Sequence, residues 1–308
     1  MTTELDRLPS EDEVAAWLSE RRNWGRWGDS DQRGAFNLIT PETIVGAASL
    51  VRSGVRVSLA RQLPTDPGPS NAYPVIHTMR KRDLGHPSGA GEAGDTITAT
   101  WHQPLMTHLD ALCHVWDGHG MWNGRDPDAE LQFDGTRWGG IEQWQEGFIC
   151  RGVLLDVPKY RREPYVTLER PVHGSELREI AAAQGIEPRP GDALVVFSGL
   201  AEYERDKGPM QADLRPGLHA SCLPVIRDWD CSLLLWDMQD LTPSGYDAAA
   251  WSVHGVLYAY GVALVDAVVL EPLAEECRHQ QRDEFLLVVL PLAINGGTGC
   301  AVNPVAVF

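Results

Sequence analysis

The order of apolar and polar positions predicts a chain in which strands and helices are mixed. Four apolar runs of strand length, each bounded by turn residues, predict strands over residues 148–156, 193–197, 231–236 and 285–292. Helical spacing of apolar residues predicts helices over 175–185 and 221–228. Because the two kinds of element do not alternate steadily, we expect an α+β fold, with a central mixed sheet or barrel-like core and outer helices.

Two helix starts are encoded near the N-terminus. Ser10 and Glu13 form a capping-box pattern ahead of apolar residues at helical spacing. A second helix is predicted to begin after Thr40, with Pro41 in its first turn, and to run to about residue 52 before Gly54. Since the sequence shows neither internal repeats nor a linker, we expect a single domain over residues 1–308. It would comprise an N-terminal helical segment (1–54) and a catalytic core (55–308).

The stretch between these helices and the centre of the chain has a different character. Residues 62–94 are rich in Pro, Gly and Asp and carry little periodicity, which predicts a long loop of the kind that is often functional in enzymes. Residues 95–101 alternate between apolar and polar side chains, as a strand does. We expect this strand to lead into the part of the chain that carries the chemistry.

Residues 102–114 concentrate groups that bind metals or transfer protons. His108 and Asp110 lie two positions apart, so in an extended segment they face the same way, and His102 joins them if the strand is regular. An imidazole and a carboxylate aimed at one point suit zinc or manganese. His114 lies just beyond, where the chain turns, and could act as a proton-transfer base. Any one of these residues could be an ordinary polar group, but three of the 10 histidines with an aspartate favour a site.

This segment resembles the kynurenine formamidase-like cyclases, which include isatin hydrolase and carry a His-x-Gly-Thr-His-x-Asp-x-Pro-x-His motif. The second half of that motif is matched by Thr107, His108, Asp110 and His114, with Leu112 in place of its proline. The resemblance implies that His108 and Asp110 bind metal and that His114 serves as general base. The first half departs from the motif, because Pro104 stands where the first histidine ligand belongs. We expect His102 to replace that ligand.

The resemblance extends over most of the chain. Residues 26–41 look like the family's opening segment, and residues 285–304 look like its terminal strand and glycine turn. His254 and Asp266 match the family's second ligand pair, although taken alone they would be read as a core histidine and a cap. The resemblance implies a swivelling β/β/α domain that assembles as a homodimer or homotetramer.

Four further residues are candidates for contact with a substrate. Trp101 and Trp116 lie close to the candidate polar groups and could wall an aromatic pocket, although most tryptophans are core residues. Gln239 follows a buried-strand pattern, where either a site residue or a solvated turn residue is expected. His119 lies in a glycine-flanked turn and could close over the site, although a surface loop histidine is commoner.

Composition narrows the choice of partners. The chain carries 26 Lys and Arg against 43 Asp and Glu, a net charge of −17, which argues against nucleic acid or an anionic membrane as partner. No signal-like or membrane-spanning apolar stretch is evident, so we expect a cytoplasmic location. The six cysteines lack paired spacing, which favours reduced thiols. Serine hydrolase, nucleotidase and dehydrogenase motifs are not found.

Taken with the resemblance, these features indicate a metal-dependent hydrolase of the arylformamidase, isatin hydrolase or lactonase type. One or two zinc or manganese ions would activate water against an amide, lactam, ester or lactone carbonyl of a small aromatic or cyclic substrate. Two other classes remain open at this point: a lyase or cyclase of secondary metabolism, and a metal-free binding member of the family.

Overall fold

The computed structural model describes residues 7–68, 71–211 and 213–308. The described strands are β1 Arg56–Ser58, β2 Ile76–Asp83, β3 Gly91–Thr98, β4 His108–Asp110, β5 Leu131–Gln132, β6 Gly135–Thr136, β7 Phe148–Asp156, β8 Ala193–Phe197, β9 Leu233–Trp236, β10 Ala263–Asp266, β11 Glu284–Val289, β12 Gly299–Ala301 and β13 Val305–Val307. The described α-helices are α1 Glu11–Ser19, α2 Pro41–Ala48, α3 Pro127–Glu130, α4 Val157–Arg161, α5 Gly174–Gln184, α6 Leu200–Lys207, α7 Leu223–Asp228, α8 Val256–Tyr260 and α9 Glu271–Gln280.

Nine of these strands form one curled, half-barrel sheet in the order β1-β13-β11-β7-β8-β9-β10-β4-β12. Its centre, β7 to β10, is parallel, and the strands on both sides pair antiparallel. The parallel strands are buried along nearly their whole length because helices cover them, which explains why they appear in sequence as continuous apolar runs. The predicted α+β fold with a mixed sheet and outer helices is confirmed.

Both N-terminal helices begin where the sequence predicts. Ser10 and Thr40 each accept a hydrogen bond from the backbone three residues on, and the capping box is complete in both cases. The second helix ends at Ala48, earlier than predicted, because the backbone then closes i→i+3 turns that carry the chain out of the helix. None of the described helices is long and apolar enough to cross a membrane.

The prediction of a loop over residues 62–94 is wrong for residues 76–83 and 91–94, which form two strands. Strands β2 and β3 pair antiparallel along eight positions, from Ile76 opposite Thr98 to Asp83 opposite Gly91. Nearly every side chain of this hairpin is exposed, so no buried face imposes an alternating apolar pattern on the sequence. The strand predicted over 95–101 accordingly begins earlier and ends at Thr98.

Strand β4 brings distant parts of the chain together. It lies between β10 and β12, and its His108 is directly opposite Asp266 of β10. Side chains that are opposite each other in a ladder share a face of the sheet, as do residues two apart in one strand. His108, Asp110 and Asp266 therefore project from the same face.

Candidate metal centre

His108 and Asp110 form the buried base of the site. The Nδ1 of His108 lies 2.7 Å from the carbonyl oxygen of Met106, to which it donates, and this leaves Nε2 facing Asp110 Oδ1 at 3.3 Å. Asp110 has no solvent exposure, and its Oδ2 has no hydrogen-bond partner among the described residues. A buried carboxylate oxygen without a donor is costly, and a cation would satisfy it.

His102 reaches this base from a turn. The chain is irregular between Thr98 and His108, so the expectation that His102 shares a regular strand with Asp110 is wrong. The turn nevertheless places its Nδ1 2.8 Å from Asp110 Oδ1 and its Nε2 2.9 Å from Thr298 Oγ1. Gly299 allows this approach, since a Cβ there would stand 2.8 Å from His102 Cε1.

His254 and Asp266 lie on the other side of Asp110. His254 belongs to the 3-10 turn Ser252–Gly255, and its Nε2 is 3.2 Å from Asp266 Oδ2. Its Nδ1 lies 2.9 Å from Asp240 Oδ2, so this carboxylate orients the ring. Trp236 donates its indole N–H to Asp266 at 2.5 Å.

Two groups of potential ligands thus share one residue. Within each group the ligand atoms lie within 4.8 Å of one another; the groups are His102, His108 and Asp110, and Asp110, His254 and Asp266. Nitrogen and carboxylate donors in this mixture suit a divalent transition metal. Because the shared residue, Asp110, also has an unpartnered Oδ2, the residues present fit such an ion.

The charges of the site are tightly balanced. Burial alone would lower the pKa of His108, but the carboxylates of Asp110 and Asp266 outweigh it and raise the pKa to about 9. For His254 burial is likewise outweighed, by Asp240 and Asp266, and the pKa is raised well above its ordinary value. Burial also opposes ionisation of Asp110, yet the surrounding histidines hold its pKa well below the usual range. The site therefore favours positive charge, which a bound cation supplies when the histidines are deprotonated.

His114 is a member of neither ligand group, although it contacts one of their residues. Its ring stacks on that of His102, with centroids 3.6 Å apart and planes 7° from parallel. Burial is the main cause that lowers its pKa to about 4, and the neighbouring histidines add to the effect against the pull of Asp110. The imidazole is therefore neutral at neutral pH.

The histidines and carboxylates open into a cavity of about 370 Å³. Gln239 lines it and donates its side-chain N–H to Asp266 at 2.5 Å. Within the described part of the chain, the lining does not include Trp101, Trp116 or His119. The side chains of Trp116 and His119 are exposed to solvent instead. Trp251, half exposed at 49 %, is the tryptophan on the cavity wall.

Several cavity residues were missed by the sequence reasoning. Asp240 follows a strand end and gave only a weak signal, whereas Arg215 lies in a segment without any periodic pattern.

Gln239 and Ser252 adopt positive φ angles of 61° and 46°, a conformation that costs energy in residues other than glycine. Backbone strain of this kind concentrates at functional sites and cannot be seen in a sequence.

Residues 38–242 match the family model named Cyclase and described as "Putative cyclase". The chain belongs to the cyclase family. A crystal structure described as that of a novel cyclase is 31 % identical in sequence, covers 93 % of this chain and 99 % of its own, and superposes with a TM-score of 0.80. The resemblance found in the sequence is thereby confirmed.

More distant structures share the cyclase fold. Isatin hydrolase A from Labrenzia aggregata, bound to benzyl benzoate, is 18 % identical over 86 % of this chain and 97 % of its own, with a TM-score of 0.58. An isatin hydrolase bound to the product analogue thioisatinate is 15 % identical over 87 % of this chain and 98 % of its own, with a TM-score of 0.54. Among curated proteins, none matches this chain.

Proposed function

We propose that this cyclase-family protein is a metal-dependent hydrolase of an amide, lactam, ester or lactone carbonyl in a small aromatic or cyclic substrate. The observation that carries the proposal is the buried, unpartnered Oδ2 of Asp110, the residue that two groups of potential ligands share. Isatin hydrolases among the structures with the same fold support hydrolysis over the other chemistries.

The ligands we assign are His102, His108 and Asp110 for one zinc or manganese ion, with His254 and Asp266 forming a second position beside it. His108 and His254 each donate a hydrogen bond from Nδ1, which leaves the Nε2 atoms of both rings directed at the site. When bound, such an ion supplies a Lewis acid for the carbonyl and lowers the pKa of water to about 7.

We assign His114 as the general base. Its neutral ring lines the cavity and is held flat against His102, so it can take a proton from the attacking water while its orientation stays fixed. Hydrolysis then adds the water oxygen to the carbonyl carbon and breaks its bond to nitrogen or oxygen, and the leaving group takes up the proton. Gln239 and Trp236 hold Asp266 in place through this cycle.

The remaining predictions stay proposals. The predicted contacts with substrate would have to lie outside the cavity for three residues: Trp101, Trp116 and His119. We also propose a single domain over residues 1–308, a homodimeric or homotetrameric assembly, and a cytoplasmic location without nucleic-acid or membrane partners. Scattering and sedimentation of the purified protein check the domain organisation and the assembly, and fractionation of cells checks the location.

The test begins with elemental analysis of protein purified without chelators, beside the His108→Ala variant. Wild type should carry zinc or manganese and the variant should not. A screen on aryl formamides, isatin and lactones in oxygen-18 water then follows the label into product. Label-free product would identify a lyase or cyclase, and wild-type protein that takes up no metal would identify a binding member of the family.

A further inference from the structure

Arg215 brings a positive charge to the wall of the cavity. In the described part of the chain it is the one lysine or arginine among the lining residues. Its backbone pairs with that of Thr242 at 3.0 and 3.1 Å, so the residue is fixed at both its N–H and its C=O. Its Nη2 donates to Asp240 Oδ1 at 3.2 Å and to Thr242 Oγ1 at 3.0 Å.

These contacts leave donors of the guanidinium unused. Arginine has five N–H groups, and both recorded side-chain hydrogen bonds leave from Nη2. The Nε is buried without an acceptor among the described residues. The carboxylate of Asp240 is shared between two donors, because it also accepts a hydrogen bond from His254 at 2.9 Å. One shared carboxylate is a poor match for a cation of this capacity.

The surroundings of Arg215 are those of a binding wall. Trp251 offers a half-exposed aromatic face to the same cavity. Ser252 also lines it, and its buried Oγ has no partner among the described residues. At about 370 Å³, the cavity is near the lower end of the range for small-molecule sites, which suits a compound of one or two rings.

We propose that Arg215 forms a carboxylate-binding subsite, so that the preferred substrate is an aromatic amide or ester with a carboxylate away from the scissile carbonyl. The assignment rests on the proposed function for the identity of the scissile bond, but not for the anion. A protein with a net charge of −17 repels anions in general, and the fixed guanidinium supplies a counter-charge inside the cavity. Trp251 packs against the ring of the same compound.

Binding of two probes tests the subsite without any need for turnover. Benzoate and its neutral isostere benzamide are titrated calorimetrically into wild type, Arg215→Gln and Arg215→Lys, each in metal-loaded and chelator-stripped form. We expect Arg215→Gln to lose about 10- to 100-fold in benzoate affinity, the range of a charged hydrogen bond, with benzamide changed by less than about threefold. The benzoate affinity of Arg215→Lys should lie between those of wild type and Arg215→Gln, because lysine keeps the charge but lacks the planar, bidentate donors of arginine.

The matched control is Arg205→Gln, which removes the same charge from an exposed side chain of α6. It should leave both probes unchanged. The stripped arm separates the guanidinium from direct binding of benzoate to metal, since the dependence on Arg215 should persist there.

Equal losses for benzoate and benzamide in Arg215→Gln, accompanied by loss of metal, would show that Arg215 only positions Asp240 and would overturn the subsite. Unchanged benzoate affinity would also overturn it. If Arg215→Gln does not fold, Arg215→Lys decides by the same comparison of probes. If benzoate binding depends on Arg215 but the protein hydrolyses no substrate, the subsite is retained and the proposed hydrolase is rejected. If the protein is a hydrolase but benzoate binding does not depend on Arg215, the hydrolase is retained and the subsite is rejected.

Discussion

Replacing Gly299 by alanine would test whether His102 belongs to the metal centre. Gly299 lies on β12, directly opposite Asp110. A Cβ at this position would stand 2.5 Å from the carbonyl oxygen of Leu109 and 2.8 Å from Cε1 of His102. Strand β4 is paired on both sides, so the contact with Leu109 has to be relieved by a small shift of β12, and the contact with His102 by movement of the histidine ring.

The expected shift follows from the contact distances. Ordinary van der Waals contact begins at 3.4 Å, so the ring has to move by at least about 0.6 Å. Its Nδ1 is 2.8 Å from Asp110 Oδ1, and a displacement of that size takes the pair out of good hydrogen-bond range. Losing one well-placed ligand or its hydrogen bond to a charged group costs about 1.5–3 kcal/mol. We therefore expect metal affinity to fall by about 10- to 100-fold.

The assay is a metal titration against a competing chelator, with thermal unfolding in EDTA as a measure of the fold itself. Gly46→Ala is the matched control, because nothing lies within 4 Å of a Cβ there and the residue is inside α2. That change should leave metal affinity intact and stabilise the helix by up to about 1 kcal/mol. If Gly299→Ala binds metal as tightly as wild type, His102 is not a ligand, and another residue must compensate for Pro104 in place of the family's first histidine.

Three other changes probe the surroundings. His114→Ala should keep its metal while turnover falls by about 10²- to 10⁴-fold, measured by elemental analysis beside kinetics, and parallel loss of metal would make it a ligand instead. Asp240→Asn should weaken metal binding by about 10- to 100-fold, because the carboxylate that orients His254 is lost; an unchanged titration would contradict that role. Burial and nearby His173 lower the pKa of His219 to about 4, so between pH 4 and about 6.5 the unfolded chain binds more protons than the folded one. The free energy of unfolding should therefore fall as pH drops through this window. Measured by urea unfolding in EDTA, it should depend less steeply on pH in His219→Gln than in wild type. Equal slopes of stability against pH would exclude the histidine as the cause.

The parts of the fold that the sequence predicts are those with local or repetitive signals. The caps at Ser10 and Thr40 act over three residues, and the parallel strands are buried on both faces, so both leave a clear pattern. The β2–β3 hairpin leaves none, because its side chains face solvent on both sides and only backbone hydrogen bonds hold it together.

The site likewise contains residues that a local sequence pattern predicts and residues that only the tertiary structure brings together. His108 and Asp110 could be paired from their spacing because a strand alternates its faces, and the structure does place them in one strand. His102 arrives through a turn whose course depends on Gly299, nearly two hundred residues away, and no local rule gives that approach. Arg215 and Asp240 meet only through tertiary pairing of their segments. Contacts of this kind become visible in the folded chain alone.

The ladder between β4 and β10 also has a topological meaning. Since His108 and Asp266 are opposite each other, an ion held by both sides of the site would act as a cross-link between segments about 160 residues apart. Cross-links that close long loops restrict the unfolded chain most, so occupancy would be coupled to cooperative unfolding of the whole sheet. A nascent chain that lacks β10 cannot form this bridge, and tight metal retention would therefore report that the sheet has been completed.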